Sequence, residues 1–412
     1  MGLDMHQRKA VTEKQASRYR AASKKEKSRI LEEFTALTGY NRKYAIHLLS
    51  NCGKYTFTRV DGKLVQLKAT HTRSRGSERR GRKRYYAEQV EAAVIALWQV
   101  FGPMCGKRLA QMIRNFLSIP GCLDEFGFSE EVREKLGCIS AATIDRLLIE
   151  ERKKDTIRGT CHTRAASAKI LARIPVRTFS EQPDEPGHFQ ADLVGHDGGD
   201  ARGDFCHTLN ATDPATGWLE PRALQNKAGK WSTEALQWIS EHSPIPVSGW
   251  HTDSGTEFIN AHMERFCRQQ CIEFTRSRFY KKNDNCYVEQ KNNSVIRATV
   301  GYLRYEGPQA CRVLNEIYDS LRLLVNFFHP SAKLIEKTRN GSKVTKRYDT
   351  PKTPYQRVID SEAVSPEVKQ ALRRRLAELN PLELQREIAK GSEKLLQMVE
   401  ADNERRSSEG RR

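Results

Sequence analysis

The chain has 412 residues, and 70 Lys and Arg against 51 Asp and Glu give it a formal charge of +19. That excess calls for a polyanionic partner, while the absence of any apolar run of about eighteen residues and of an apolar stretch near the start leaves no membrane span or secretory signal to expect. The 10 cysteines are scattered from Cys52 to Cys311 without a framework, which reads as reduced thiols in a cytoplasmic, nucleic-acid-associated protein. No repeat of solenoid or propeller period is visible.

In chain order, Lys24 to Asn51 holds two helical patterns. Ile30, Phe34 and Leu37 mark the first, Gly39 interrupts it, and Ala45, Leu48 and Leu49 mark the second. Two helices joined by a glycine turn form the helix-turn-helix signature. Asn41, Arg42 and Lys43 open the second helix and are candidate contacts to base edges or phosphates. Thr56 to Ala69 reads as a hairpin with Asp61-Gly62 as its turn. His71 to Arg84 has seven Lys and Arg against one Glu. Such a run cannot pack a core, so it is a basic linker, with Arg79, Arg80, Arg82, Lys83 and Arg84 as candidate phosphate contacts.

Ala87–Phe101, Lys107–Leu117 and Ser140–Arg152 follow as helices and make a second helical unit with helix-turn-helix character. A basic linker leads on. Phe189–Val194, Phe205–Ala211 and Trp218–Leu224 then read as strands, with a turn at Asp213–Gly217. A helix (Trp231–Glu241), a strand (Pro246–Thr252), a helix (Ala261–Gln270), a strand (Ile272–Thr275) and long helices at Cys286–Arg304 and Pro308–Phe328 complete an α/β domain with a mixed five-stranded sheet. Lys333–Arg347 is basic, and Pro366–Val399 carries an irregular apolar stripe suited to packing on the body or on another protomer. The expected organisation is multidomain: 1–60 helix-turn-helix unit, 61–85 linker, 86–155 second helical unit, 156–184 linker, 185–310 α/β core, 311–365 core-packing helix and basic C-terminal extension, and 366–412 charged helical tail with a disordered end.

Three acids stand out in the α/β part. Asp192 lies inside a strand (HFQADLVGH), Asp253 ends a strand (GWHTDSGTEF) and Glu289 lies in the first turns of a helix (NDNCYVEQKNN). A carboxylate in a strand destined for burial is costly unless it is paired or binds a metal. Carboxylates delivered from three elements to one sheet edge are hard oxygen ligands for Mg²⁺ or Mn²⁺, the ions of phosphate chemistry. Other acids read as structural: Glu257 as a helix cap, Asp213 as a turn former, and Asp197, Asp200 and Asp204 as formers of a Gly-rich hairpin. Cys267, Cys271 and His262 lack a fourth ligand for zinc.

Sixty residues lie between Asp192 and Asp253, and thirty-five between Asp253 and Glu289. Over roughly 185–305 this pattern resembles the retroviral-type integrases and the DDE transposases of bacterial insertion sequences. TDSGTEF (252–258) resembles that family's Asp-Asn-Gly-x-Glu-Phe turn, with Ser254 where Asn is usual. SRFYKKNDNCYVEQKNN (277–293) is similar to the segment that brings in the catalytic Glu, with Phe279 where many relatives have Pro. The resemblance implies a ribonuclease-H-like core in which Asp192, Asp253 and Glu289 are both the catalytic and the metal-binding residues, with two Mg²⁺ or Mn²⁺ ions per site, Asp192 bridging them. It implies hydrolysis at a transposon end and joining of the freed 3′-hydroxyl to target DNA, without a nucleotide cofactor.

Helical spacing puts Asn293 and Arg297 on the face of Glu289, as candidate contacts to the DNA end, and Lys281 and Lys282 in the loop before it, as phosphate contacts. The expected partner is double-stranded DNA, bound by a homodimer or larger assembly at the bacterial nucleoid, with no membrane. Two rivals remain: a DNA-binding regulator with an idle core, and a metal-dependent nuclease that only hydrolyses.

Overall fold

The computed structural model describes residues 3–53, 55–60, 63–68, 85–86, 88–154, 174–178, 181–255, 257–278 and 281–409. The chain forms two compact units, Met1–Arg84 and Tyr85–Arg412.

In the first unit, α1 (Met5–Ala21), α2 (Lys24–Thr38) and α3 (Arg42–Asn51) are each fixed at the start by a side chain. Asp4 with Gln7 and Ser23 with Glu26 form reciprocal capping boxes, and Asn41 accepts from Lys43 N. α2 stops at Gly39, whose φ of 69° places it in the left-handed region, and its N–H closes on Thr35 O. Ala16, Tyr19, Ile30, Leu31, Phe34, Ala45 and Leu49 form the core, so Leu31 takes the inward place expected of Leu37, which is exposed. β1 (Tyr55–Val60) and β2 (Lys63–Lys68) pair antiparallel out to Val60 and Lys63. The Asp61-Gly62 turn between them lies outside the described residues, as does the basic run 71–84.

The second unit begins with α4 (Glu88–Phe101), α5 (Gly106–Leu117), α6 (Glu130–Cys138), α7 (Ala141–Leu147) and α8 (Ile149–Lys154). Then come β3 (His188–Gly195), β4 (His207–Thr212), β5 (Leu219–Leu224), α9 (Gly229–His242), β6 (Gly249–Thr252), α10 (Ala261–Gln269) and β7 (Glu273–Arg276). The five strands lie in the order β5-β4-β3-β6-β7. β3, β4 and β5 are antiparallel neighbours, whereas β6 and β7 run parallel to β3, giving a mixed sheet.

α11 (Cys286–Lys291) continues through a π-helical segment (Asn292–Arg297) into α12 (Ala298–Val300). The chain leaves the helix at Gly301, φ 70°, short of the expected end at Arg304. α13 (Gly307–Phe328) runs along β5. Its Asn315 and Asn326 pair with the backbone of Ala223 and Leu219, so two side chains close what would be an open sheet edge.

β8 (Leu334–Asn340) and β9 (Lys343–Tyr348) form a two-stranded hairpin with every residue exposed. α14 (Pro354–Asp360), α15 (Pro366–Glu378) and α16 (Pro381–Glu409) follow. α16 packs on α13, where a Cβ at Gly391 would collide with Ile317. The tail is thus bound to the body, and its helix runs through residues expected to be disordered. One continuous core extends from Val90 in α4 through the sheet to Leu395 in α16, so the helices of 88–154 share a core with the sheet. Among the described residues, no helix is long and apolar enough to cross a membrane.

Candidate active site

The register of the central strands brings two of the three acids together. Ala191 in β3 is the Cα partner of Thr252 in β6, and the strands are parallel. Asp192 and Asp253 are the next residues in each, so their backbones lie side by side at about the strand spacing of 4.8 Å. Asp253 stands where β6 ends, and its Oδ1 accepts from Gly255 N at 3.0 Å. Ser254, in the position where the resembling turn has Asn, donates to Ser277 O at 3.2 Å and ties this turn to the end of β7.

The helix of Glu289 is docked onto β3 by Gln190. This residue lies two before Asp192, hence on the same face of the strand. Its Oε1 accepts from Tyr287 N at 3.1 Å and Val288 N at 3.3 Å, and its Nε2 donates to Asp284 O at 3.1 Å. It therefore satisfies backbone groups at the start of α11 that have no partner within the helix. The loop leading into α11 is held by Asp284, whose carboxylate is fully buried and receives Arg278 Nε at 2.8 Å and Nη2 at 2.9 Å.

Asp192 Oδ1 accepts from Leu193 N at 2.9 Å and Oδ2 from Asn292 Nδ2 at 2.7 Å. Burial first, then the Asp253 carboxylate, with Glu289 adding to both, push the Asp192 carboxyl up to about 7; the hydrogen bonds from Leu193 and Asn292 oppose the shift. Burial also raises Asp253. Asp192 lies within electrostatic reach of both Asp253 and Glu289, and with Asp192 and Asp253 held above their usual range the site creates a demand for positive charge. An all-oxygen donor set of this kind fits Mg²⁺ or Mn²⁺ in its chemistry. Among the described residues, however, no three His, Cys, Asp or Glu are gathered tightly enough to hold a metal ion. Asp192 and Asp253 are instead satisfied by N–H donors of the chain.

The place assigned to Arg297 needs correction. The π-helical segment has a wider turn than an α-helix, so spacings counted in fours lose register across it. Asn293 is exposed, and its neighbour Asn292 is the residue that reaches Asp192. Arg297 is buried, with 7% exposure. Its Nη2 donates to Gly195 O at 2.6 Å, Nη1 donates to Gly301 O at 3.3 Å, and the guanidinium lies 4.7 Å from the Tyr302 ring centroid. It pins the end of β3 and is not presented to a ligand.

Lys281 is exposed before a short 3₁₀ turn, and the Lys282 side chain lies outside the described residues. In the first unit, Asn41 is engaged as a cap, Arg42 Nη2 donates to Ser28 Oγ at 3.1 Å, and Lys43 is exposed. Arg79, Arg80, Arg82, Lys83 and Arg84 lie outside the described residues. The cap expected of Glu257 is supplied by Asn260, which accepts from His262 N and Met263 N at 3.0 Å. Cys267 is buried and Cys271 exposed, on backbone of φ 54°.

Sequence reasoning missed Gln190, Asn210, Asn292 and the Arg278–Asp284 pair. The period of two along β3 pointed at Gln190; nothing local pointed at the others.

No protein-family model matches the chain. It is 37% identical over 360 residues, which are 86% of this chain and 96% of the other, to a protein of Sinorhizobium fredii described as uncharacterized protein y4rM. The chain therefore belongs to the same family as the Sinorhizobium protein y4rM.

Proposed function

We propose that the protein is a DNA transposase that binds transposon terminal repeats and catalyses metal-dependent phosphodiester hydrolysis followed by 3′-hydroxyl strand transfer. The observation that carries this reading is the adjacency of Asp192 and Asp253 at neighbouring parallel strands, with the helix of Glu289 docked against the same strand by Gln190. The strand order and directions support a ribonuclease-H-like core. The α2–Gly39–α3 arrangement, with Lys43, Tyr44, Ile46 and His47 exposed along α3, supports a helix-turn-helix reader of DNA. The exposed basic hairpin β8–β9 supports grip on the DNA backbone.

Asp192, Asp253 and Glu289 would hold two Mg²⁺ or Mn²⁺ ions. When bound, such ions neutralise charge on the reacting phosphate and favour ionisation of the attacking hydroxyl. The chain's own residues prepare this site. Asn292 fixes one Asp192 oxygen, Gln190 fixes the helix that carries Glu289, and Ser254 fixes the turn after Asp253. In the first reaction water displaces one bridging oxygen of a phosphodiester and leaves a 3′-hydroxyl. In the second that hydroxyl displaces a bridging oxygen of the target, so one phosphodiester is exchanged for another and no nucleotide is consumed. Two DNA ends must be held together, which requires a dimer or larger assembly.

The test is a strand-transfer assay with purified protein, Mg²⁺ or Mn²⁺, a labelled DNA end from the flanks of its own gene and a supercoiled target. Metal-dependent joined product that disappears in Asp192→Asn, Asp253→Asn and Glu289→Gln is expected. Hydrolysis without joining would make the protein a nuclease, and tight binding without either reaction a regulator.

A further inference from the structure

On the far side of the helix from Glu289, Arg108, Lys291, Arg357 and His329 meet with one acid, Asp349, among them. Lys291 lies two residues beyond Glu289, about 200° around the helix, and so faces away from it. Its electrostatic neighbours are Arg108 of α5 and Arg357 of α14, and those of His329, just after α13, are Arg108 and Lys291. Arg357 is paired with Asp349 at 2.7 Å. Among the described residues, no carboxylate pairs with Arg108, Lys291 or His329. Arg108 uses its Nε on Pro330 O at 2.7 Å. Nε2 of His329 is buried and has no hydrogen-bond partner.

Arg108 and His329 line a cavity of about 190 Å³, whose walls include Ser294 of the π-helical segment and the apolar Phe101 and Leu321. A water molecule claims about 30 Å³, so this space accommodates a tetrahedral oxyanion with its remaining hydration. Burial, and then Arg108 and Lys291, push the His329 imidazole down to about 3, so it is neutral and able to donate from Nε2. Arg108, half-buried and without a counter-charge, is disfavoured there, and an anion seated beside it lowers that cost.

We propose that this cavity is an anion site that takes a phosphate group, received by Arg108 and the orphaned Nε2 of His329, with Lys291 beside them. The site is separate from the carboxylates, and the inference does not depend on strand transfer. The phosphate comes either from the free ion or from a nucleic-acid backbone, and the two sources are separable.

Equilibrium dialysis of the full chain against labelled inorganic phosphate, at fixed ionic strength in chloride, tests the first source. The salt dependence of binding to duplex DNA tests the second. Arg108→Gln, His329→Gln and Lys291→Met are compared with wild type, with thermal melting to establish that each is folded. Lys291→Met leaves the Arg108–Pro330 hydrogen bond untouched, so it serves if Arg108→Gln does not fold. Saturable phosphate binding weakened about tenfold or more in these variants supports a free-ion site. Undetectable free phosphate, with the duplex salt slope reduced by about one in Arg108→Gln or Lys291→Met, supports a backbone-phosphate site. Phosphate binding and salt slope both unchanged in the variants would overturn the proposal.

Discussion

Asn292 stands between Asp192 and Asn210: its Nδ2 donates to Asp192 Oδ2 at 2.7 Å, and its Oδ1 accepts from Asn210 Nδ2 at 2.7 Å. Asn210 is also the Cα partner of Asp192 across β3 and β4. The loop of contacts therefore fixes which end of the Asn292 amide meets the carboxylate. A donor held in place favours the ionised acid, and this hydrogen bond opposes the upward shift of Asp192. Asn292→Ala is expected to raise the pH at which Asp192 ionises. Carbon-13 NMR of the Asp carboxyls reads this directly, and an unmoved Asp192 titration would show the contact to be incidental.

The same carboxyl gives a sign for stability against pH. Asp192 is raised from 3.8 to about 7, so between those values the folded state holds more protons than the unfolded state. Stability then falls as pH rises through that window, and Asp253 acts in the same direction. Asp192→Asn is expected to remove part of the fall, on the order of 2 kcal/mol at about pH 7.5. Mn²⁺ is expected to raise the melting temperature of wild type there and not that of Asp192→Asn. Denaturant unfolding at several pH values, with and without Mn²⁺, measures both; a wild-type profile that matches the variant would remove the argument.

Gln190 accepts two N–H groups at the start of α11 with one oxygen. Gln190→Ala leaves both N–H groups and Asp284 O without that partner, in buried surroundings. A loss of about 2 kcal/mol is expected. Because the anchored helix carries Glu289, hydrogen exchange should rise locally over 282–292 before the sheet is affected. Uniform exchange across the second unit would mean that Gln190 supports the whole core and has no special hold on this helix.

Much of this architecture was readable in advance, for identifiable reasons. The five strands, with Asp192 within one and Asp253 just beyond the end of another, follow from short apolar runs bounded by turn residues, and turn chemistry is local. Asp213 shapes its turn as read, accepting from Thr216 N at 3.0 Å. α1 left little trace because only Thr12, Ala16 and Tyr19 along it are buried. The hairpin β8–β9 left little trace because neither face is buried, so no alternation marks it. The π-helical segment was invisible because helical spacing presumes a constant turn, and the misplacement of Arg297 followed from that.

Arg297 offers a test that separates support of the fold from contact with DNA. Its guanidinium is tied to Gly195 O and Gly301 O and covered by Tyr302. Arg297→Ala leaves a buried carbonyl at the end of β3 unpaired and opens a space, at an expected cost of about 3 kcal/mol. The salt dependence of duplex binding by the folded fraction should not change, since no phosphate contact is removed. A slope lowered by about one would return Arg297 to the DNA-contacting group.

The β8–β9 hairpin places Lys337 directly across from Lys346, with Arg339 two pairs further on opposite Val344. Like charges in direct cross-strand positions are unfavourable, and here no fold contact compensates, because both strands are exposed throughout. The base of the hairpin is nevertheless fixed. Lys333 N donates to Asp349 Oδ1 at 2.6 Å, and Arg357 Nη1 lies 2.7 Å from Asp349 Oδ2. In the proposed function, this rooted ribbon, whose basic residues outnumber its one acid, Glu336, would meet the DNA backbone, and a two-stranded ribbon has the width to enter a major groove. Lys346→Glu converts the cross-strand pair to opposite charges. The hairpin itself should gain about 0.5 kcal/mol, while duplex binding weakens and its salt slope falls by about one, the contact of Lys346 with phosphate being lost. The two effects have opposite signs, so general destabilisation cannot produce them together. Duplex affinity unchanged in Lys346→Glu would leave the ribbon as solvated surface.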